Sequence, residues 1–322
     1  MSIQFGCFVP QGWRMDLVEI DDPVEKFEAM TNVAKAADDG PWDSIWVYDH
    51  FHTVPETTME ATFECWTITA TLARDTSRVK IGQMVTCNGY RNPALLAKIA
   101  STVDVASHGR LYCGVGAGWH EEEWKAYGFG FPETRERMGM FRDAVQIIHK
   151  MWTEDRPTFH GKYYSIDEPV NEPKGVQRPH IPLWIGGSGE QVTLKLVAQY
   201  GDASNFGGSP NQVRHKLDVL KKHCDNACRD FNEITKSSNL MVHFVEPGED
   251  GEKATERARK ASGQTFEEYS RSVLVGPPAA VIDRIGGLVE AGIDYIIINF
   301  PRIAYDHVPM KRFETEVMPH FA

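Results

Sequence analysis

The sequence lacks any uninterrupted apolar run that approaches the roughly 20 residues needed to span a membrane. It also lacks the basic start and long apolar run of a signal peptide, because the chain opens directly as a strand-like segment, residues 3–9. We therefore expect a cytoplasmic protein with reduced thiols. Internal repeats and low-complexity linkers are missing as well, so nothing marks a boundary between two domains.

Cysteines are few, and basic residues are outnumbered by acidic ones. Among the six cysteines only Cys224 and Cys228 lie one helical turn apart, and no second Cys or His pair follows them at the spacing of metal ligands. The formal net charge of -11 argues against binding to the phosphate backbone of a nucleic acid, but it says little about a small ligand. Apolar residues make up 42% of the chain, which is enough for a sizeable core.

Short apolar segments alternate with amphipathic ones from end to end, which is the pattern of a parallel sheet with crossover helices. Eight such units suit a closed (β/α)₈ barrel better than an open doubly wound sheet. We predict a single barrel domain over residues 1–322, with insertions near residues 155–182 and 246–275. The predicted strands are residues 3–9, 44–48, 79–85, 110–115, 183–186, 203–206, 240–245 and 295–299. The predicted helices are residues 24–37, 64–73, 92–107, 135–152, 190–200, 211–230, 252–269, 278–291 and 312–318, with a hairpin at 158–166.

The active site of such a barrel lies at the C-terminal ends of the strands, where the second strand leads into Asp49 and His50. His50 is a candidate proton or hydrogen-bond donor, and Asp49 could orient it or bind a ligand hydroxyl. A capped strand end with surface histidines is the plainer interpretation. A metal-dependent hydrolase is a further alternative, because His50 and His52 form a His-x-His pair. That site needs more ligands at later strand ends, and the eighth strand ends in Asn299 rather than Asp.

The ends of the third and fourth strands add polar residues and glycines. Thr86 and Asn88 follow the third strand and could meet a ligand, although Asn-Gly is also a turn signal. The fourth strand runs into Gly116, Ala117, Gly118 and Trp119. This is a poor dinucleotide fingerprint, since the six-position pattern is incomplete and the first βα unit does not carry it. Glycines that admit a planar ring or a tail against the backbone fit better. At least two of the three acids at residues 121–123 are expected only to start a helix.

The fifth strand is followed by Gly186, Gly187, Ser188 and Gly189, which run into a helix start. Free backbone amides and the helix dipole at such a place form a phosphate site without any lysine. An ordinary glycine turn with a serine cap is the alternative. A phosphate here and a ring near strands two to four would suit an elongated phosphorylated cofactor across the barrel mouth.

Taken together, these segments resemble the bacterial luciferase-like family of flavin- and deazaflavin-dependent oxidoreductases, over nearly the whole chain. The resemblance is closest to the branch that uses coenzyme F420, a deazaflavin that carries only hydride. The residues that carry it are 43–51, 90–98, 111–123, 185–189 and 200–202.

The resemblance implies a (β/α)₈ barrel with insertions, often dimeric, so we expect a homodimer. It implies that His50 lies at the reacting ring and that Asp49 contacts the cofactor or positions His50. It also implies that the loop from Gly186 to Gly189 takes the cofactor phosphate. A non-prolyl cis peptide is implied behind the ring, near Met84 and Val85.

Some F420-dependent sugar-phosphate dehydrogenases have a catalytic glutamate where this chain has Trp119. A sugar phosphate is therefore not the expected substrate, and Trp13, Trp46 and Trp119 suggest an apolar or aromatic pocket wall. The expected function is hydride transfer between F420 and a small organic substrate. An FMN-dependent monooxygenase that uses oxygen is the nearest alternative.

Overall fold

A computed structural model describes residues 3–260 and 262–322 of the chain. Its core is a sheet of eight parallel strands, which we number β1 to β8. Their bounds are Gln4–Phe8 (β1), Ser44–Val47 (β2), Lys80–Gln83 (β3), Leu111–Gly116 (β4), Leu183–Gly186 (β5), Ala203–Asn205 (β6), Thr235–Phe244 (β7) and Tyr295–Asn299 (β8). The first and last strands pair directly, with Gln4 opposite Tyr295, and β7 pairs with both β6 and β8. The sheet is therefore closed, which confirms the predicted (β/α)₈ barrel.

Helices cover the outside of the barrel. Those used below are Pro23–Asp39 (α1), Cys65–Asp75 (α2), Pro93–Ala106 (α3), Glu121–Ala126 (α4), Thr134–Thr153 (α5), Thr193–Tyr200 (α6), Pro210–Ala227 (α7), Gly251–Ala254 (α8), Glu256–Lys260 (α9), Phe266–Ser272 (α10), Pro278–Glu290 (α11) and Val308–Arg312 (α12). The sequence sets several of these starts locally, because Asp22 accepts hydrogen bonds from the amides of Val24 and Glu25, and Asn92 does the same for α3. None of the helices in the described ranges has the length and apolar composition to cross a bilayer.

Side chains alternate along each strand between the helices and the barrel interior. The outward set forms the main core with the helices. The inward set in the lower half of the barrel is aromatic, with Trp46, Trp184 and Tyr295 almost completely buried against one another. Trp46 is therefore part of the core and does not line a pocket. Gly6 and Gly82 flank it because its indole fills the space that a Cβ atom would take.

Two predicted segments are wrong in their detail. The strand predicted at 240–245 begins earlier, at Thr235. The first half of this strand contains the polar residues Ser237 and Asn239, which point into the barrel. Asn205 donates a hydrogen bond to each of them, of 2.9 and 3.0 Å. The helix predicted at 252–269 is three short helices, α8 to α10. They lead into a strand, Val273–Gly276, that pairs with the end of β7. The break arises because Thr265 starts α10 anew with a capping box.

Other predicted bounds shift by a few residues. The hairpin in the 155–182 segment is present, with Phe159 opposite Ile166. The last helix starts at Val308, and a π-helical turn, Phe313–Val317, continues it. All six cysteines are free thiols, and only Cys228 is exposed.

Candidate active site

An open cavity of about 680 Å³ lies at the C-terminal ends of the strands. Most of the predicted site residues line it. These are Asp49, His50, Met84, Val85, Gly116, Ala117, Gly118, Trp119, Gly186, Gly187, Ser188 and Gly189. The structure adds Trp13, Tyr48, Cys87, Tyr90, His120 and the end of the fifth loop, 190–193, together with Asn205 and Asn239. Residues from the five loops that follow β1 to β5 thus meet around one space.

Thr86 and Asn88 do not line this cavity, and their role as cofactor contacts stays a prediction. The segment Thr86–Cys87 pairs with β4, and side chains alternate along a strand. Cys87 faces the cavity, while the buried hydroxyl of Thr86 accepts a hydrogen bond of 3.1 Å from Trp66 Nε1 on α2. Asn88 is buried in the 3₁₀ turn that follows.

His50 is held by Glu123. Its Nδ1 atom lies 2.8 Å from Glu123 Oε2, and its side chain is 12% exposed whereas that of Glu123 is fully buried. Since a carboxylate only accepts hydrogen bonds, Nδ1 carries the proton and Nε2 is the nitrogen left for a ligand. The expectation that Asp49 orients His50 is therefore wrong, because Glu123 performs this role.

Glu123 accepts three further hydrogen bonds. The amides of Phe51 and His52 bind Oε1, and the hydroxyl of Tyr90 binds Oε2, each at 2.8 Å. Burial alone would raise the pKa of Glu123, but the hydrogen bonds and the charge of His50 outweigh it and lower this pKa to about 2. The carboxylate is therefore ionised throughout the neutral range, and it fixes both the histidine and the loop that carries it.

Glu121 and Glu122 behave as expected for acids at a helix start. Glu121 pairs with Lys125 one turn along α4, and Glu122 accepts a hydrogen bond from Thr57 at the surface. Only the third acid faces inward, next to the buried Trp124. In the sequence, only its position in the helical repeat distinguishes Glu123 from Glu121 and Glu122.

Asp49 hydrogen-bonds to Arg91 and not to His50. The guanidinium makes two bonds to the carboxylate, of 2.6 and 3.0 Å, and the amide of Cys87 donates a third of 2.8 Å. Arg91 also pairs with Glu64 at the start of α2. This ion-pair network ties the second loop to the third at the cavity that Asp49 lines.

Aromatic rings surround His50. Trp13 stacks on it with ring centroids 4.2 Å apart and planes within 6°, and Trp119 approaches edge-on at 5.6 Å. Trp119 is 63% exposed at the cavity mouth. The expectation that Trp13 and Trp119 form an apolar wall therefore agrees with where the structure places them.

The peptide bond between Met84 and Val85 is cis, as the resemblance implies. Val85 lies beside the strand-end glycines: a Cβ atom on Gly116 or Gly186 would come within 2.5 or 2.7 Å of its methyl carbons. Gly118 has a φ of +79° and faces Cys87 and Trp124. The glycines of β4 and β5 thus make room for neighbouring side chains as well as for a ligand.

The loop after β5 presents free amides to the cavity. Gly187, with a φ of +123°, donates its amide to Asn205 O at 2.9 Å, and Leu194 donates to Gly189 O. Across the described ranges, the amides of residues 188–192 donate no hydrogen bond to another protein group. The helix itself begins at Thr193, three residues later than predicted, so these amides belong to a turn that leads into α6. Such a turn is suited to an anion.

The metal-hydrolase alternative requires a cluster of ligands. In residues 3–260 and 262–322, no group of three or more His, Cys, Asp or Glu side chains has a geometry that could hold a metal ion. His50 Nδ1 is bound to Glu123, and His52 contacts Tyr127 instead. The described residues therefore offer no ligand set for that chemistry.

The sequence of the chain was compared with models of known protein families. Residues 3–270 match the model of the luciferase-like monooxygenase family, and the chain belongs to that family. It is therefore an enzyme, as the strand-end residues predict.

A curated relative is an F420-dependent glucose-6-phosphate dehydrogenase from Kineococcus radiotolerans, 26% identical, with 90% of this chain and 92% of the relative covered. A solved F420-dependent secondary alcohol dehydrogenase, in complex with an F420-acetone adduct, matches with a TM-score of 0.78 at 21% identity over 100% of this chain and 98% of that one. A monooxygenase from Streptomyces bottropensis matches with a TM-score of 0.81 at 18% identity over 99% and 100%. At these identities the two solved structures support the fold alone.

Proposed function

We propose that this protein is a coenzyme F420-dependent oxidoreductase that transfers hydride between the deazaflavin and a small organic substrate. The F420-dependent glucose-6-phosphate dehydrogenases among its relatives support the cofactor. One observation of the structure carries the proposal. The same cavity is lined by His50, whose Nε2 atom is left for a ligand because Nδ1 is bound to Glu123, and by the turn 188–192, whose backbone amides have no protein partner.

The cavity residues fit a phosphorylated planar cofactor. Residues 188–192 offer amides without partners for its phosphate, and Met84, Val85 and the glycines after β4 offer a mainly apolar surface for its ring. F420, when bound, gives or takes a hydride. The chain supplies orientation and proton handling.

His50 handles the proton through Nε2, because Glu123 keeps the proton on Nδ1. In the neutral form Nε2 has a lone pair and accepts a proton from a substrate hydroxyl that is being oxidised. In the charged form the same atom donates to a carbonyl oxygen that is being reduced. Asp49 acts as a positioning residue through Arg91.

We further propose that the substrate has an apolar or aromatic body. Trp119 stands where some sugar-phosphate dehydrogenases have a glutamate, and with Trp13 it flanks the free side of His50. An exposed indole at the mouth favours an apolar group over a sugar hydroxyl.

A fluorescence titration with F420, FMN and FAD tests the cofactor. We expect F420 to bind at least about tenfold more tightly than FMN, a difference of about 1.4 kcal/mol. Tighter binding of FMN, together with oxygen consumption by the protein with reduced FMN, would contradict the proposal and support a monooxygenase.

The phosphate end can be tested separately. Ser188→Asp places a carboxylate beside the free amides, and we expect it to weaken F420 binding by about tenfold through charge repulsion. Ser188→Asn is the matched neutral control. The deazaflavin nucleoside without phosphate should bind both variants equally well. If Ser188→Asp weakened the binding of F420 and of the phosphate-free nucleoside equally, the cofactor phosphate would not bind at this turn.

A further inference from the structure

A second cavity, of about 180 Å³, lies beside the first at the barrel mouth. It is formed at the ends of β1, β7 and β8 and is covered by the segment with α9 and α10. Its walls combine apolar side chains with five charged ones. The charged residues are Arg14, Asp16, Glu19, Arg257 and Arg302.

Four of these charges are already engaged. Glu19 pairs with Arg302 through two contacts and with Arg257 at 2.7 Å, and hydrogen bonds from Arg302 first, then Arg257, lower the pKa of Glu19 to about 2. Asp16 accepts the amide of Gly12 at 2.7 Å. Burial raises the pKa of Asp16, although its hydrogen bonds and Arg14 oppose this change.

Arg14 is the exception. Within the described ranges its guanidinium forms no salt bridge with a carboxylate, although its charge acts on nearby Asp16, and its Nε atom is buried without a hydrogen-bond partner. Its guanidinium is held over the rings of Trp13 and Tyr48, at 4.6 and 5.3 Å from their centroids. The planar fork of donors on a guanidinium fits a carboxylate. The stacking fixes this fork at the cavity wall.

The same aromatic residues join the two cavities. Trp13 and Tyr48 line the first cavity, and Trp13 stacks on His50. Asn299 of the second cavity donates a hydrogen bond of 3.4 Å to the Tyr48 hydroxyl. On β7, Asn239 lines the first cavity and Met241 the second, two residues further along the same face. A ligand held by Arg14 therefore lies next to the space that His50 faces.

We propose that Arg14 binds the anionic group, such as a carboxylate, of a small organic acid with an apolar body. The identification of this acid as the substrate rests on the function proposed above. The binding of an anion by Arg14 does not depend on that function. The acid group fits Arg14, and the apolar body fits the surface provided by Val54, Met241, Phe300 and Ile303.

Calorimetric titration of the full chain, with and without saturating F420, tests the proposal. The probes are benzoate and hexanoate, each compared with its neutral primary amide. We expect each acid to bind at least about tenfold more tightly than its amide, since hydrogen bonds to a charged group are the strong ones. Arg14→Gln should abolish this preference, and Arg14→Lys should retain part of it.

Arg257→Gln is the matched control, because Arg257 lines the same cavity but is 72% exposed and already paired with Glu19. It should keep the preference for acids. Equal affinity for acid and amide, no binding of either, or a preference that survives in Arg14→Gln would overturn the proposal. If Arg14→Gln does not fold, the comparison of acid with amide in the natural chain decides alone. If the protein binds the acids but does not bind F420, the proposed function is refuted and the proposed anion site is retained.

Discussion

Turnover should fall by about 10²–10⁴-fold when His50 is replaced by alanine, while the affinity for F420 stays largely unchanged. The imidazole is proposed to move or hold the substrate proton, and the free amides and apolar floor that would hold the cofactor remain in place. Turnover is measured from the absorbance of oxidised F420 with a substrate that the natural enzyme accepts, and affinity from F420 fluorescence.

His52→Ala is the control for this variant. His52 lies two residues away and also approaches Glu123, but only through its backbone amide, which the substitution preserves. We expect near-normal turnover. If His50→Ala retained full turnover, His50 would have no part in the chemistry, and a parallel loss of F420 binding would make it a cofactor residue instead.

Glu123→Gln should lower the free energy of unfolding by about 3 kcal/mol at pH 7 and reduce turnover as well. The shift of the Glu123 pKa from its usual 4.5 to about 2 corresponds to a free energy of this order. The amide of Gln would also point a donor at Tyr90 or at the protonated Nδ1 of His50, so the histidine loses its fixed orientation. Urea unfolding and the turnover assay measure the two effects. Glu122→Gln is the matched surface control, with an expected change under about 0.5 kcal/mol.

The stability effect has a defined pH dependence. Because folding lowers the pKa of Glu123, its ionised form stabilises the native state fully above about pH 4.5, and this contribution is lost as the pH falls toward 2. The difference in unfolding free energy between the natural chain and Glu123→Gln should therefore shrink between pH 5 and 3. A difference that stays constant over this range would show that the carboxylate charge is not what matters.

Much of the barrel could be predicted because its strands are apolar on their outer face and end in conspicuous residues. The alternation of strand and helix predicts the closed sheet, and the strand-end rule picks out His50, Met84, Val85 and the loop after β5. The start of β7 was not predicted, because its inward side chains, such as Ser237 and Asn239, are polar and hydrogen-bond inside the barrel. Hydropathy therefore does not mark these residues as buried.

The partners of the site residues could not be predicted, because they come from distant parts of the chain. Glu123 is 73 residues from His50, and Arg91 is 42 residues from Asp49. An acid in the first turn of a helix favours the helix dipole in any protein, so only the tertiary fold shows that Glu123 points inward. The second cavity is harder still, since Arg14, Arg257 and Arg302 meet only through packing of three separate segments.

The aromatic filling of the lower barrel has a kinetic consequence. Trp46, Trp184 and Tyr295 are almost completely buried against one another across the interior of the barrel, so neither cavity continues through it to the opposite end. A molecule bound in either cavity can therefore enter and leave only on the side of the strand ends that carry His50.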